Sequence, residues 1–227
     1  MPYGDRSREE IISLTRDSVN FLLSKDVKII IFGCNTATAV AMSTIQKEIP
    51  LQIIGVVQSG ALAAARTTET KNVAVIGTNA TVDSHSYLKE IQYRDPEIKV
   101  SEFAQPKLAP LAEEDPDEDT KSAVVSESLT PLKNADYDTL VLGCTHYPLL
   151  RDEIVAVVGQ DKKIVDPADQ VAQYTYNVLR RDDLFAESTD PVKHDYYTTG
   201  EAKKFTEITR QWMNDDTIVG HHVDAED

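Results

Sequence analysis

Two segments of the chain end a short, β-branched apolar run with Gly-Cys and continue into small hydroxyl or amide residues. They are Lys28-Ile-Ile-Ile-Phe-Gly-Cys34-Asn-Thr-Ala-Thr38 and Asp138-Thr-Leu-Val-Leu-Gly-Cys144-Thr-His-Tyr-Pro148, and they contain both cysteines of the chain. A buried strand that leads into a helix is the repeating unit of α/β folds, and ligands bind at the carboxyl ends of such strands. The repeat therefore predicts two similar places, each carrying one thiol.

Strand and helix patterns alternate along the chain. Short apolar runs predict strands, at residues 27–32, 52–57, 72–77, 99–103, 139–142, 162–165 and 196–198. Apolar residues at helical spacing predict helices between them, at residues 37–47, 61–66, 84–93, 120–133, 149–158, 168–181 and 201–213. A capping box from Ser7 to Glu10 opens one more helix. This alternation predicts an α/β fold with mainly parallel sheets flanked by helices.

Two changes in the pattern, near residues 57–60 and at Asp166-Pro167, predict a division into two domains. One domain is expected to combine residues 1–58 with 167–227, and the other to span residues 59–166. The acidic run at residues 113–119 is expected to be a solvated loop, and residues 220–227 a frayed end.

Composition restricts the environment and the partners of the chain. The net charge of −15 repels nucleic-acid phosphate and anionic membranes, so neither is an expected partner. No apolar run approaches the roughly 20 residues of a membrane span, and the first residues lack the apolar core of a signal peptide. Free thiols without a signal peptide predict a cytoplasmic protein.

Two thiols at helix N-termini are well suited to acid–base chemistry. The helix dipole and free backbone N–H groups favour the thiolate, and thiol pKa values lie near ambient pH. A thiolate on one face of a substrate removes a proton from an acidified carbon, and a thiol on the other face returns one. A metal site lacks the required ligand spacing, and a disulfide is disfavoured in a reducing compartment. A protease-like pair of Cys144 and His146 stays open, although neighbouring side chains diverge and need not touch.

Several motifs together resemble the glutamate racemases of the cofactor-independent aspartate/glutamate racemase superfamily. They are Cys34-Asn-Thr-Ala-Thr-Ala39, Leu142-Gly-Cys-Thr-His-Tyr-Pro148, Gly77-Thr-Asn-Ala-Thr-Val-Asp-Ser84 followed by Tyr87, Pro106-Lys-Leu-Ala-Pro-Leu-Ala-Glu113 and Pro2-Tyr-Gly4. His146 stands where the related aspartate racemases generally carry an acidic residue, which favours glutamate as substrate. The similarity extends over nearly the whole chain.

The resemblance implies two similar α/β domains with glutamate in the cleft between them, a racemase that supplies D-glutamate for peptidoglycan, and no pyridoxal phosphate or metal. It implies Cys34 and Cys144 as the bases for opposite enantiomers, with His146 assisting Cys144 and Glu113 orienting His146. Substrate-binding roles are implied for a further set of residues, Pro2, Tyr3, Gly4, Asn35, Thr36, Thr78, Thr81 and Thr145. Relatives commonly form dimers, so a homodimer is also compatible with the resemblance.

Members of this family carry a strand ending in Asp-Ser-Gly, a helix and a second strand before the Pro-Tyr-Gly motif, at which this chain starts. We therefore expect little racemase activity from the chain as given and more from a form extended upstream. Two other functions stay open. One is a racemase or decarboxylase of the same superfamily acting on aspartate, hydantoin or an arylmalonate, and the other is an inactive protein that binds a ligand or partner.

Overall fold

A computed structural model describes residues 3–224 as an α/β fold in which every strand pair is parallel. The first half comprises α1 (Arg8–Leu23), β1 (Ile30–Phe32), α2 (Asn35–Val40), α3 (Met42–Ile45), β2 (Ile53–Gly55), α4 (Val56–Thr67), β3 (Asn72–Gly77), α5 (Asn79–Asp83), α6 (Ser86–Arg94) and β4 (Lys99–Ala104). The second half comprises α7 (Leu108–Glu114), α8 (Glu118–Ser128), β5 (Thr139–Gly143), α9 (Arg151–Val158), β6 (Lys163–Val165), α10 (Pro167–Arg181), β7 (Tyr196–Thr198), α11 (Ala202–Met213) and β8 (Gly220–His222). The predicted α/β fold with parallel sheets flanked by helices is confirmed.

The central sheet has the strand order β4-β3-β5-β6. Its two middle strands, β3 and β5, are apolar after their first residues, Asn72 and Thr139, as is usual in parallel sheets with helices on both faces. On one face, Val73 and Val75 of β3 join the core beneath α4 and α6. On the other face, Ala74 and Ile76 join the core beneath α7, α8 and α9. Strands β3 and β5 therefore end at one edge of a sheet that is buried on both faces.

A second sheet pairs β1 with β2. The helix α1 packs on it, and its first turn has the predicted capping box, in which the Ser7 N–H donates to Glu10 at 2.9 Å. Ile11 and Val19 on α1 share one buried cluster with Ile30 and Phe32 on β1. This cluster holds the end of β1, and with it Cys34, against α2.

Two sequence expectations near the acidic run and the chain end are wrong. The run is not only a loop, because Glu113 and Glu114 complete α7 and the Asp117 carboxylate caps α8 through the Thr120 N–H at 2.9 Å. Pro110 is compatible with α7 because it lies in the first turn, where a missing N–H breaks no helical bond. Residues 220–222 are not frayed but form β8, which pairs with β7 in a third sheet.

The helix α4 joins the two parts of the predicted domain division. It begins directly after β2, and the expected boundary between residues 58 and 59 lies inside it. The second expected boundary coincides with the start of α10, where the Asp166 carboxylate accepts the Ala168 N–H at 2.9 Å. The division itself stays a prediction. Across residues 3–224, no helix combines the length and apolar character that crossing a membrane requires.

Candidate active site

Cys34 follows β1 and is the N-cap residue of α2. Its Sγ accepts the Ala37 N–H at 3.5 Å, and its side chain is partly buried. Burial raises the pKa of this thiol, and the N–H groups of Ala37 and Thr36 oppose that rise only in part. The helix N-terminus therefore does not produce the near-neutral thiol that the sequence suggested, because desolvation outweighs it.

Cys144 follows β5 and is 7% exposed. A short 3-10 turn, Tyr147–Leu150, separates it from α9, so this second thiol does not cap an α-helix as Cys34 does. Burial raises the pKa of Cys144 to about 12, the Cys34 and Glu113 charges add to the rise, and the His146 N–H opposes it. The charge of one cysteine acts on the other, which places the two sulfurs within electrostatic reach.

His146 contacts both a thiol and a carboxylate. Its Nδ1 lies 3.6 Å from the Cys144 Sγ, and its Nε2 lies 3.0 Å from Oε1 of Glu113. The expectation that neighbouring side chains diverge is therefore wrong here, because the turn after Cys144 bends the imidazole back onto the sulfur. Trp212 of α11 packs edge-on against the imidazole, with ring centroids 5.5 Å apart. No sequence signal pointed to Trp212.

Three threonine hydroxyls form a buried cluster beside α2. Thr36 Oγ1 lies 2.9 Å from the Thr78 hydroxyl and 3.2 Å from the Thr81 hydroxyl, and the last two are 3.0 Å apart. Thr78 caps α5, whereas Thr36 belongs to the first turn of α2. The structure thus brings together three candidate residues from two separate sequence motifs.

Asn35 is buried and hydrogen-bonded to a residue that the sequence did not single out for the site. Its Oδ1 accepts the Tyr87 hydroxyl at 2.6 Å, and both side chains are inaccessible to solvent. Within the described residues, the Asn35 Nδ2 has no hydrogen-bond partner. The sequence indicates Tyr87 only as part of the motif that begins at Gly77, without a role in the site.

The other candidate residues differ in their placement. Gly4 lies on the Thr78 segment, where its carbonyl accepts the Ala80 N–H at 3.2 Å. Burial raises the pKa of Tyr3, and the Cys34 charge contributes to that rise, which places this phenol near the first thiol. Thr145 is exposed, and Pro2 lies outside the described residues.

A cavity of about 720 Å³ lies between α1 and the residues around β7, and neither cysteine is among its lining residues. Among the described residues, Tyr3 is the candidate site residue in this lining, which also includes Phe21 and Tyr197. Within residues 3–224, no group of three His, Cys, Asp or Glu side chains is arranged to hold a metal ion.

Comparison with known proteins defines the family. The model of the Asp/Glu/Hydantoin racemase family matches residues 4–175. A glutamate racemase of Lactobacillus johnsonii is 98% identical over 227 residues, which are 100% of this chain and 85% of that protein. A glutamate racemase of Lactobacillus acidophilus is 62% identical over the same shares of the two chains.

Solved structures agree with the sequence comparison. The crystal structure of a glutamate racemase isoform from Bacillus anthracis superposes with a TM-score of 0.94 at 36% identity, covering 99% of this chain and 84% of the other. A Francisella tularensis glutamate racemase in complex with D-glutamate gives a TM-score of 0.90 at 27% identity, covering 100% and 84%. The chain belongs to the Asp/Glu/Hydantoin racemase family. It is an amino-acid racemase, and therefore an isomerase.

Proposed function

We propose that this chain interconverts L- and D-glutamate by removing the α-proton with one thiolate and returning a proton from the opposite thiol, without a cofactor. The D-enantiomer would supply peptidoglycan synthesis. The glutamate racemases at 98% and 62% identity support glutamate as the substrate. The observation that carries the mechanism is the matching position of the two thiols, since Cys34 follows β1 and Cys144 follows β5, with the Cys34 charge adding to the raised pKa of Cys144.

Raised thiol pKa values suit the difficulty of this reaction. The α-proton of an amino acid is very weakly acidic, and a thiolate in a poorly solvated site is a stronger base than one in water. Burial raises the pKa of both Cys34 and Cys144, so each strong base is present only when the site favours the charged form. The ammonium group of the substrate supplies such a favourable charge. It enters the site together with the α-carbon whose proton is removed, so the thiolate is favoured when the substrate is bound.

The two thiols are proposed to have different assistants. For Cys144, the contacts from Sγ to His146 and from His146 to Glu113 form a path for holding or moving a proton. Cys34 instead has the Ala37 N–H and the nearby Tyr3 phenol. The two halves of the reaction would thus use equivalent sulfurs in unequal surroundings.

Substrate binding is proposed to use donors on the residues that follow Cys34 and on the threonines bonded to them. The buried hydroxyls of Thr36, Thr78 and Thr81 and the unpaired Nδ2 of Asn35 offer hydrogen bonds to the α-carboxylate, on which charge develops as the proton leaves. Tyr3, Gly4 and Thr145 are further proposed contacts. The cleft would lie between the domain of residues 1–58 and 167–227 and the domain of residues 59–166.

Exchange of the α-proton of glutamate into deuterated water tests the mechanism. Wild type, Cys34→Ser and Cys144→Ser are incubated separately with L-glutamate and D-glutamate. We expect wild type to exchange the α-proton of both enantiomers and to interconvert them. Each serine variant should lose interconversion, because a serine hydroxyl is a far poorer base and acid at this position.

Several outcomes would contradict the proposal. Serine variants that match wild type would exclude the two-thiol mechanism. Turnover of L-aspartate in preference to L-glutamate would move the substrate assignment to another member of the family.

A further inference from the structure

Tyr87 lies between the two cysteine motifs and contacts both. It is on α6, and its hydroxyl donates to Asn35, the residue after Cys34. Its ring lies against Gly143, the residue before Cys144, since a Cβ placed on that glycine would be 3.2 Å from the Tyr87 Cε2. One aromatic side chain therefore joins the residue that follows the first sulfur to the residue that precedes the second.

The Tyr87 ring has space because two of its neighbours are glycines, which carry no side chain. A Cβ on Gly60 would be 2.9 Å from the Tyr87 hydroxyl oxygen and 3.1 Å from its Cε1. Glycines at 60 and 143 therefore let the phenol reach Asn35. Tyr87 is 0% exposed, and its hydroxyl has one hydrogen-bond partner, Asn35, among the residues that the structure describes.

The protonation state of Tyr87 fixes the direction of that hydrogen bond. Burial raises the pKa of the phenol far above its ordinary value, and the charges of Cys144 and Asp166 add to the rise. The hydroxyl therefore stays protonated and donates to the Asn35 Oδ1. The opposite amide orientation would point two N–H donors at the phenol and leave its hydrogen without an acceptor.

This hydrogen bond leaves the other end of the Asn35 amide unused. Nδ2 is buried and has no partner within the described part of the chain, an arrangement that costs free energy unless a ligand supplies the acceptor. Asn35 directly follows Cys34, so an acceptor that reaches Nδ2 is also close to the first thiol.

We propose that Tyr87 is a positioning residue that holds the Asn35 amide so that both Nδ2 donors face a carboxylate of the bound substrate. This inference rests on the proposed function. Tyr87 itself does not touch the reacting atoms. Its contribution reaches the substrate entirely through Asn35, and this dependence separates it from a residue that only stabilises the core.

The variant Tyr87→Phe removes the hydroxyl and keeps the ring that fills the space beside Gly60 and Gly143. We expect kcat/KM for glutamate racemisation to fall roughly tenfold, in line with the loss of one oriented hydrogen bond. The fall should be mainly in kcat, because the donors matter most as charge develops on the carboxylate. In an Asn35→Ala background, the same change should alter kcat/KM by less than about twofold.

Tyr147→Phe is the matched control. Tyr147 is equally buried, and its hydroxyl donates to a backbone carbonyl, that of Gln105, at 2.8 Å. Both phenylalanine variants should lower the midpoint of urea denaturation, but only Tyr87→Phe should lower kcat. Equal kcat/KM in Tyr87→Phe and wild type would overturn the proposal. The proposal would also be overturned if the fold-changes in kcat/KM caused by Tyr87→Phe and Asn35→Ala simply multiplied in the double variant.

A second measurement needs no turnover. In ¹⁵N-labelled protein, the side-chain amide resonances of Asn35 are followed during a glutamate titration. We expect them to shift in wild type and in Tyr147→Phe, and to lose most of that shift in Tyr87→Phe. A full shift in Tyr87→Phe overturns the positioning role while leaving the proposed function intact. Wild type that neither turns over glutamate nor shifts these resonances overturns both.

Discussion

A glycine precedes each cysteine, but only one of the two glycines has room for a methyl group. A Cβ on Gly33 would meet no atom within 4 Å. A Cβ on Gly143 would lie 2.6 Å from the Ile76 carbonyl oxygen, as well as close to Tyr87. The pair Gly33→Ala and Gly143→Ala therefore applies the same chemical change to two copies of one motif in different surroundings.

The structure sets the expected size of each effect. Ile76 belongs to β3, which pairs with β5 through Ile76 and Leu142, so its carbonyl cannot move without disturbing the sheet. Overpacking of a rigid interior costs about 1–3 kcal/mol, and a backbone clash justifies the upper part, about 2–3 kcal/mol, for Gly143→Ala. Gly33 does not have a positive φ, so alanine there should stabilise by about 0.4–1 kcal/mol through the unfolded chain.

Urea denaturation of the two variants and wild type measures these differences, provided that all three share one m-value. We expect a lower midpoint for Gly143→Ala and an unchanged or higher midpoint for Gly33→Ala. The reasoning would be refuted if Gly143→Ala unfolded at the wild-type midpoint, or if Gly33→Ala lost as much stability. The first result would mean that the β3–β5 pairing accommodates a methyl group where the structure leaves no room, and the second that the surroundings of Gly33 do not accommodate the methyl group for which the structure has space.

Two further predictions follow from titratable groups. Because burial raises the pKa of Cys34 and Cys144 and the base must be a thiolate, kcat/KM should keep rising with pH past about 8.5, the ordinary thiol value; a plateau at lower pH would contradict this. Burial alone would raise the pKa of Asp138, but donors on Thr68, Thr70, Glu69 and Thr139 hold it well below its ordinary value. Its stabilisation is therefore present above about pH 4 and is lost as pH falls further. Because solvent screens this partly exposed carboxylate, Asp138→Asn should cost about 1 kcal/mol near neutral pH and less in acid, as urea denaturation at several pH values will measure.

Local pattern was sufficient for most of the fold. The bounds of β3 agree with the predicted residues 72–77, because a buried strand needs a continuous apolar run. The bounds of β7 agree with residues 196–198, where aromatic and β-branched residues favour an extended backbone. The missed elements lacked such a signal. Strand β8 has three residues and exists through its pairing with β7, and Pro110 concealed α7 although it occupies a tolerated first-turn position.

In the candidate active site too, local features were predictable from the sequence and long-range contacts were not. The sequence placed both cysteines after strands and named the threonines that cluster, but it gave no sign that burial would dominate the thiol pKa values. Desolvation depends on every atom around a sulfur, whereas a helix N-terminus is a local feature. The packing of Trp212 on His146 and the bond from Tyr87 to Asn35 were also missed, since each joins residues far apart in the chain.

The amino-acid pattern alone was enough to give the order of most strands and helices, the repeated Gly-Cys units and the family to which these motifs belong. These properties reside in short stretches whose propensities and turn residues act locally. The contacts between distant groups became visible only in the folded chain: the imidazole that bends back to Cys144, the hydroxyls that cluster with Thr36, and the phenol that donates to Asn35. Such contacts depend on how helices pack over the sheets, and that packing is a property of the whole chain.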